Sequence, residues 1–78
     1  MFTILRKNFA EVLSTLRKTN KLSLEVLGNA IGISNQAVSL LEKGQRSPSF
    51  EVLIALADYF DVSLDYLTGR TDKPEVNR

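Results

Sequence analysis

The segment from Ser23 to Pro48 constrains the fold of this chain more than any other feature, because it encodes two short amphipathic helices joined by a turn of three residues. Serine before a helix accepts a hydrogen bond from a backbone N–H that would otherwise lack a partner. Glycine after a helix adopts a left-handed backbone at little steric cost. Both signals occur here in the right order, so the pattern predicts a helix, a tight turn and a second helix.

The same start and stop signals predict five helices in all. The first has the apolar period of one helix face, begins near a cap at Thr3 or Asn8, and fades near residues 19–20. The later bounds are Leu24 to Ile31, Asn35 to Lys43, Phe50 to Phe60 and Leu64 to Leu67, with caps at Ser23, Ser34, Ser49 and Ser63 and stops at Gly32, Gly44 and Gly69. We interpret residues 1–69 as one domain and residues 70–78 as a flexible tail without apolar period.

The apolar positions of these helices predict the core. The inward residues are Phe9, Val12, Leu13, Leu16, Val26, Leu27, Ile31, Ala37, Val38, Leu41, Phe50, Leu53, Leu56, Ala57 and Phe60. The fourth helix is apolar at nine of its eleven positions, so it is either central or offers a second face to a partner. Under the second interpretation, Val52, Ala55, Tyr59 and Tyr66 form a two-fold dimer contact; under the first, they are buried more fully inside the monomer.

Composition excludes several classes of protein. The 78 residues suffice for one domain, and the absence of cysteine and histidine removes disulfides, thiolate metal sites and the commonest general base. No apolar run approaches the roughly 20 residues that span a bilayer, and the N-terminus does not read as a signal peptide. We therefore expect a soluble cytoplasmic protein that is not an enzyme, with no metal, cofactor, small-molecule ligand or membrane partner.

The charges are unevenly distributed although the net charge is only +1. Residues 1–49 hold seven Lys or Arg against three Glu, whereas residues 50–68 hold four acidic residues and no basic one. A chain with a basic first part and an acidic later part can orient itself on a polyanion. This distribution favours nucleic acid as a partner.

The chain resembles the helix-turn-helix domain of lambda-type phage repressors, Cro-like proteins and small bacterial regulators, often called the XRE family. The resemblance covers about Phe9 to Gly69. The residues that match the family pattern are Leu22-Ser23, Leu27, Gly32-Ile33-Ser34, Val38-Ser39, the run from Glu42 to Pro48 and the run from Val62 to Leu67. It implies an all-α, compact five-helix lambda-repressor-like bundle. Two departures are Leu24, where the family often has Gln, and Gly28, where Ala is usual and where we expect tight helix packing.

The outward side of the third helix is the candidate base-reading surface. An Asn or Gln amide both donates and accepts hydrogen bonds, which matches the major-groove edge of adenine. We therefore assign base contact to Asn35, Gln36 and Ser39, and to Leu40 against a thymine methyl. The alternatives are a merely solvated helix face and, for Leu40, a place at the edge of the core.

Residues at the turns and helix ends around the third helix are suited to holding phosphates without reading sequence. The predicted phosphate contacts are Lys21, Ser23, Ser34, Lys43, Gln45 and Arg46. The resemblance further implies an ion pair between Arg17 and Glu42 that joins the first and third helices; the alternative is two independent surface charges.

These observations predict a transcriptional regulator that acts as a repressor and binds a palindromic operator in double-stranded DNA as a homodimer. A phage repressor, a mobile-element regulator and the antitoxin of a toxin–antitoxin pair all fit. The alternative from another class is a helical protein-interaction module that acts through a protein partner.

Overall fold

The computed structural model of the protein describes residues 2–76, with side chains from Ile4 onward. Its elements are α1 (Phe2–Thr19), α2 (Leu24–Ile31), α3 (Asn35–Glu42), α4 (Phe50–Phe60) and α5 (Leu64–Leu67). No strand forms within these residues. The predicted all-α fold of five helices is confirmed, and α2 to α5 begin at the predicted residues.

Each of the last four helices begins after a serine whose side-chain oxygen accepts a backbone N–H three residues later. The distances from these Oγ atoms to the amide nitrogens lie between 3.0 and 3.2 Å. The predicted caps Ser23, Ser34, Ser49 and Ser63 are therefore confirmed. The prediction of a cap at Thr3 or Asn8 is wrong, because α1 already begins at Phe2 and encloses both residues.

A residue with positive φ follows every helix. Gly32, Gly44 and Gly69 fill this role after α2, α3 and α5, as predicted, but Lys21 (φ 57°) and Asp61 (φ 54°) fill it after α1 and α4. At Lys21 the left-handed backbone lets the amide of Leu22 reach the carbonyl of Arg17 at 3.1 Å. This arrangement satisfies a carbonyl at the end of α1, at the steric cost of a Cβ in the left-handed region.

Lys21→Gly is expected to raise the free energy of unfolding by about 0.5–1 kcal/mol, because glycine adopts this backbone without the Cβ clash. Urea denaturation monitored by circular dichroism measures the change. Lys21→Ala is the matched control: it removes the same charge but keeps the Cβ, so it should bring no gain. Equal stabilisation by both variants would attribute the effect to the lost charge instead.

The core lies where all five helices meet. Leu13, Leu27, Val38, Leu56 and Leu67 are fully buried, one from each helix. The helix α3 packs against both α1 and α2, α4 packs against α2 and α5, and α5 also touches α1. The two helices of the turn motif are therefore fixed by the rest of the bundle, which leaves one side of α3 free.

Two predicted core residues are exposed instead. Phe50 is 72% exposed and Val26 is 50% exposed, so the prediction that they face inward is wrong. A helix that is apolar at nearly every position gives no period from which to orient its first residue, which explains the error at Phe50. In the two turns of α2, Leu24 packs against the core in place of Val26.

The segment after α5 returns to the bundle. The backbone N–H of Ser63 donates to the carbonyl of Pro74 at 3.0 Å, so residues 70–74 run back along the start of α5. Beyond this contact, the flexibility of the tail and the domain boundary at residue 69 remain predictions.

Candidate nucleic-acid interface

The exposed side of α3 begins at its first residue. Asn35 and Gln36 are exposed, Ser39 is half-buried, and Leu40 is 37% exposed. Gln36, Ser39 and Leu40 are spaced three and four residues apart and therefore share one helix face. The opposite side of α3 carries Val38 and Leu41, which are buried in the core. The core thus fixes which side of α3 faces outward.

The side-chain amides of Asn35 and Gln36, at the start of α3, have no hydrogen-bond partner among the described side chains and backbone groups. The capping bond at this end is made by Ser34, whose Oγ lies 3.1 Å from the amide nitrogen of Ala37. Asn35 and Gln36 are therefore not needed for the cap, and their donors and acceptors stay available to a ligand. The edge of a base in a DNA duplex can bind the donor and the acceptor of one side-chain amide at the same time.

The serines that cap α2 and α3 remain able to act as donors. Ser23 and Ser34 accept backbone N–H groups through an oxygen lone pair, which leaves each hydroxyl hydrogen unused. Both serines are exposed and stand at helix N-termini, where the backbone dipole favours an anion. This chemistry suits two phosphate oxygens, as predicted for these residues.

The predicted cationic and amide contacts flank the turn motif. Lys21 precedes α2, while Lys43, Gln45 and Arg46 follow α3, and all four side chains are exposed. None of them forms an ion pair within the part of the chain that the structure describes. Their contact with phosphate remains a prediction that the exposure permits.

The Arg17–Glu42 ion pair implied by the resemblance is present. The Nε and Nη2 atoms of Arg17 donate to the two carboxylate oxygens of Glu42 at 2.5 and 3.0 Å, and Nη1 donates to the carbonyl of Leu22 at 2.9 Å. The two side chains are only 16% and 11% exposed. The hydrogen bond to Glu42 raises the pKa of Arg17 above its ordinary value, although burial opposes this. One guanidinium therefore holds together α1, the turn before α2 and the end of α3.

The glycine in α2 also fixes the position of α3. A Cβ on Gly28 would lie 2.5 Å from the carbonyl oxygen of Ile33 and 3.3 Å from the carbonyl of Ser34. The carbonyl of Gly28 in turn accepts the amides of Gly32 and Ile33 at 2.8 and 2.9 Å. The expected tight packing at Gly28 is confirmed, but the close neighbour is the backbone of the turn itself.

The structure does not present the four predicted dimer residues as one exposed surface. Val52 and Tyr66 pack against the core of their own chain, and Ala55 is half-buried. Only Tyr59, at 45% exposed, remains open, and its ring stands edge-on to Phe60 at 5.1 Å. Val52 and Tyr66 are half-buried within the monomer, and the participation of the four residues in a dimer contact remains a prediction.

Two candidate functional residues escaped the sequence patterns. Phe50 is the most exposed large apolar side chain among those described, and the Nε atom of Arg6 is buried without a hydrogen bond. Phe50 was hidden by the continuous apolar run of α4, and a lone arginine carries no signal of its surroundings.

No described helix is both long enough and apolar enough to cross a membrane.

The known proteins that are similar to this chain include regulators of transcription. A model of the family HTH_3, described as helix-turn-helix, matches residues 13–67. The uncharacterised HTH-type transcriptional regulator YobD of Bacillus subtilis is 37% identical over 67 residues, which are 86% of this chain and 60% of that protein. The chain thus spans less than two thirds of the length of this relative.

Two solved structures share the fold. The P22 c2 repressor in complex with a synthetic operator superposes with a TM-score of 0.72 at 36% identity, covering 76% of this chain and 89% of that one. The restriction-modification controller protein C.AhdI of Aeromonas hydrophila gives a TM-score of 0.73 at 31% identity, with 80% and 94% covered.

Proposed function

Because this chain belongs to the helix-turn-helix family HTH_3, we propose that it is a sequence-specific DNA-binding regulator of transcription that reads bases with α3. The observation that carries the proposal is the pair of exposed amides at the start of α3, which lack partners among the described residues. The neighbour with 36% identity is a repressor held in complex with a synthetic operator, which supports the same mode of binding here.

In the proposed complex, α3 enters the major groove with its N-terminal end toward the bases. Asn35 or Gln36 pairs with N6 and N7 of adenine, Ser39 donates or accepts at a neighbouring base, and Leu40 packs on a thymine methyl. The hydroxyls of Ser23 and Ser34 donate to phosphate oxygens. The remaining phosphate contacts are made by Lys21, Lys43, Gln45 and Arg46, and these fix the register of the domain on the duplex.

The regulator is proposed to be a repressor that covers a promoter by binding a palindromic operator as a homodimer. Two copies related by a two-fold axis present two α3 helices to half-sites about one helical turn apart. The same proposal assigns the protein to the cytoplasm, together with the DNA that it regulates. No step of this function calls for a cofactor or a small molecule.

Gln36→Ala is expected to weaken binding to the cognate site by about 1–3 kcal/mol while barely changing affinity for unrelated DNA, because one bidentate base contact is lost. Sites are first selected from random DNA with the wild-type chain. Fluorescence anisotropy on the selected duplex and on a scrambled duplex then measures the ratio of the two affinities.

Arg46→Ala provides the contrasting variant. Loss of a phosphate contact should weaken binding to both duplexes alike and reduce the salt slope by about one unit. If no site is selected from random DNA, the chain is an interaction module and not a reader of sequence. If the Gln36 and Arg46 variants lose affinity in the same pattern, the division into base and phosphate contacts is wrong.

A further inference from the structure

A recess beside the end of α3 brings together lysines from two parts of the chain. It has a volume of about 430 Å³ and is lined by Lys7, Ala10, Glu11, Glu42, Lys43 and Gly44. Lys7 and Lys43 are exposed, and neither forms an ion pair or a side-chain hydrogen bond with any residue that the structure describes. Their two ammonium groups are therefore available to an anionic ligand at this recess.

Close packing of α1 against the loop after α3 holds these two lysines near each other. A Cβ built on Gly44 would lie 3.9 Å from the Cα atom of Lys7 and 4.0 Å from the Cβ atom of Ala10. Ala10 is itself buried, so no large side chain separates α1 from the loop at this point. Because Lys43 directly precedes Gly44, backbone packing fixes the Cα atoms of Lys7 and Lys43 on the same recess.

The two carboxylates of the recess differ in their effect on this positive charge. Glu42 accepts two hydrogen bonds from Arg17, which offset its negative charge. Glu11 is exposed one helical turn after Lys7 and forms no ion pair among the described residues. The two lysines are thus opposed by one unpaired carboxylate, and like charges held close together repel each other until an anion binds between them. The recess therefore favours an anion.

The phosphate backbone of a duplex is the anion that the position of the recess favours. Lys43 is the C-cap of α3, and it is followed by Gln45 and Arg46, which are also assigned to phosphates. Duplex DNA carries about one negative charge for every 1.7 Å of helix axis. A duplex held by Lys43 therefore presents further phosphates beside that residue, where Lys7 stands. A single phosphate ion would lack the other contacts of the interface.

We propose that Lys7 binds a phosphate of the operator beside the phosphate that Lys43 binds, so that α1 adds a DNA contact outside the turn motif. The proposal rests on the proposed function, which places α3 in the major groove. The contact has no base preference, because a phosphate carries no sequence information. It lengthens the stretch of backbone that the domain holds and increases affinity for any duplex.

The salt dependence of DNA binding tests this contact. Lys7→Gln removes the charge and keeps most of the side-chain stem. It should reduce the slope of log affinity against log salt concentration by about one unit, on the selected duplex and on the scrambled duplex alike. Affinity at about 0.1 M salt should fall by up to about tenfold, and the difference should disappear toward about 1 M salt.

Two further variants separate this contact from a general effect of charge. Lys7→Arg keeps the positive charge and should retain the wild-type salt slope. Lys73→Gln is the matched control, since it makes the same charge change next to Pro74, whose carbonyl bonds to Ser63 at the start of α5. It should leave the slope unchanged. Circular dichroism verifies that each variant remains folded.

Neutral linkages locate the contact on the duplex. A series of selected duplexes, each with one methylphosphonate linkage, removes the backbone charges one at a time. One position should weaken binding by the wild-type chain but not by Lys7→Gln, because the protein partner of that phosphate is already missing in the variant. A different position should behave in the same way toward Lys43→Gln.

Two results would overturn the proposal: a Lys7→Gln variant with the wild-type salt slope, or a duplex series in which every position affects the wild-type chain and Lys7→Gln equally. Failure of the proposed function looks different. If no site is selected from random DNA but Lys7→Gln lowers the salt slope on an unrelated duplex, the phosphate contact stands and base reading fails. If a site is selected and Lys7→Gln binds it as the wild-type chain does, the reverse holds.

Discussion

Glu42→Ala is expected to lower the free energy of unfolding by about 3 kcal/mol, because it leaves the largely buried Arg17 guanidinium without its carboxylate. Domains of this kind are stabilised by only about 0.05–0.15 kcal/mol per residue, so this is a large part of the total. The hydrogen bond from Arg17 to the carbonyl of Leu22 remains but satisfies one donor only. Urea denaturation followed by circular dichroism measures the loss.

A double-mutant cycle separates the coupling of the two groups from the cost of each truncation. Arg17→Ala combined with Glu42→Ala should cost less than the sum of the two single changes, because the second change no longer strands a charge. Lys18→Ala is the matched control on the same turn of α1, where the side chain is exposed, and it should change stability by less than about 0.5 kcal/mol. If the losses of unfolding free energy in the two single variants add up to the loss in the double variant, the ion pair itself contributes nothing to stability.

Gly28→Ala is expected to lower the free energy of unfolding by about 2 kcal/mol, even though alanine is the better helix former by up to about 1 kcal/mol. The added methyl would lie 2.5 Å from the carbonyl oxygen of Ile33, and a backbone atom cannot rotate away as a side chain can. The turn between α2 and α3 must therefore shift, and with it the start of the helix that carries Asn35.

Asn29→Ala is the control for this change, since Asn29 is the exposed neighbour on the same helix. It should stabilise the chain slightly or leave it unchanged. A gain in stability for Gly28→Ala, similar to that of the control, would show that the turn yields easily and that the glycine is not required for close packing.

Local signals predicted most of this fold. A serine that caps a helix and a glycine that ends one act through the nearest backbone groups, so these signals placed both ends of α2 and the start of α3 correctly. The predicted end of α3 at Lys43 is one residue too late, because the helix ends at Glu42 and Lys43 is its C-cap. Periodicity likewise identified Leu27, Val38 and Leu41 as core residues. The Arg17–Glu42 pair joins residues 25 positions apart, and only the resemblance to a family implied it.

What the sequence left open depends on contacts between elements. The left-handed backbone at Lys21 has no residue signature, because lysine rarely adopts it, and the exposure of Phe50 depends on how α4 is rotated against α2 and α5. The buried Nε of Arg6 is a consequence of where α1 lies in the bundle. Each of these features is decided by packing, which a single helix pattern does not contain.

The outward side chains at the start of α3 form no hydrogen bond with the described residues. The Ser34 cap, Gly28 and the Arg17–Glu42 ion pair, in contrast, fix the position of α3. Under the proposed function, preference for a target and resistance to unfolding are therefore carried by different residues. Exchanging the exposed Asn35 and Gln36 for other polar residues should then change the preferred operator with little loss of stability, which makes this framework a suitable host for recoding.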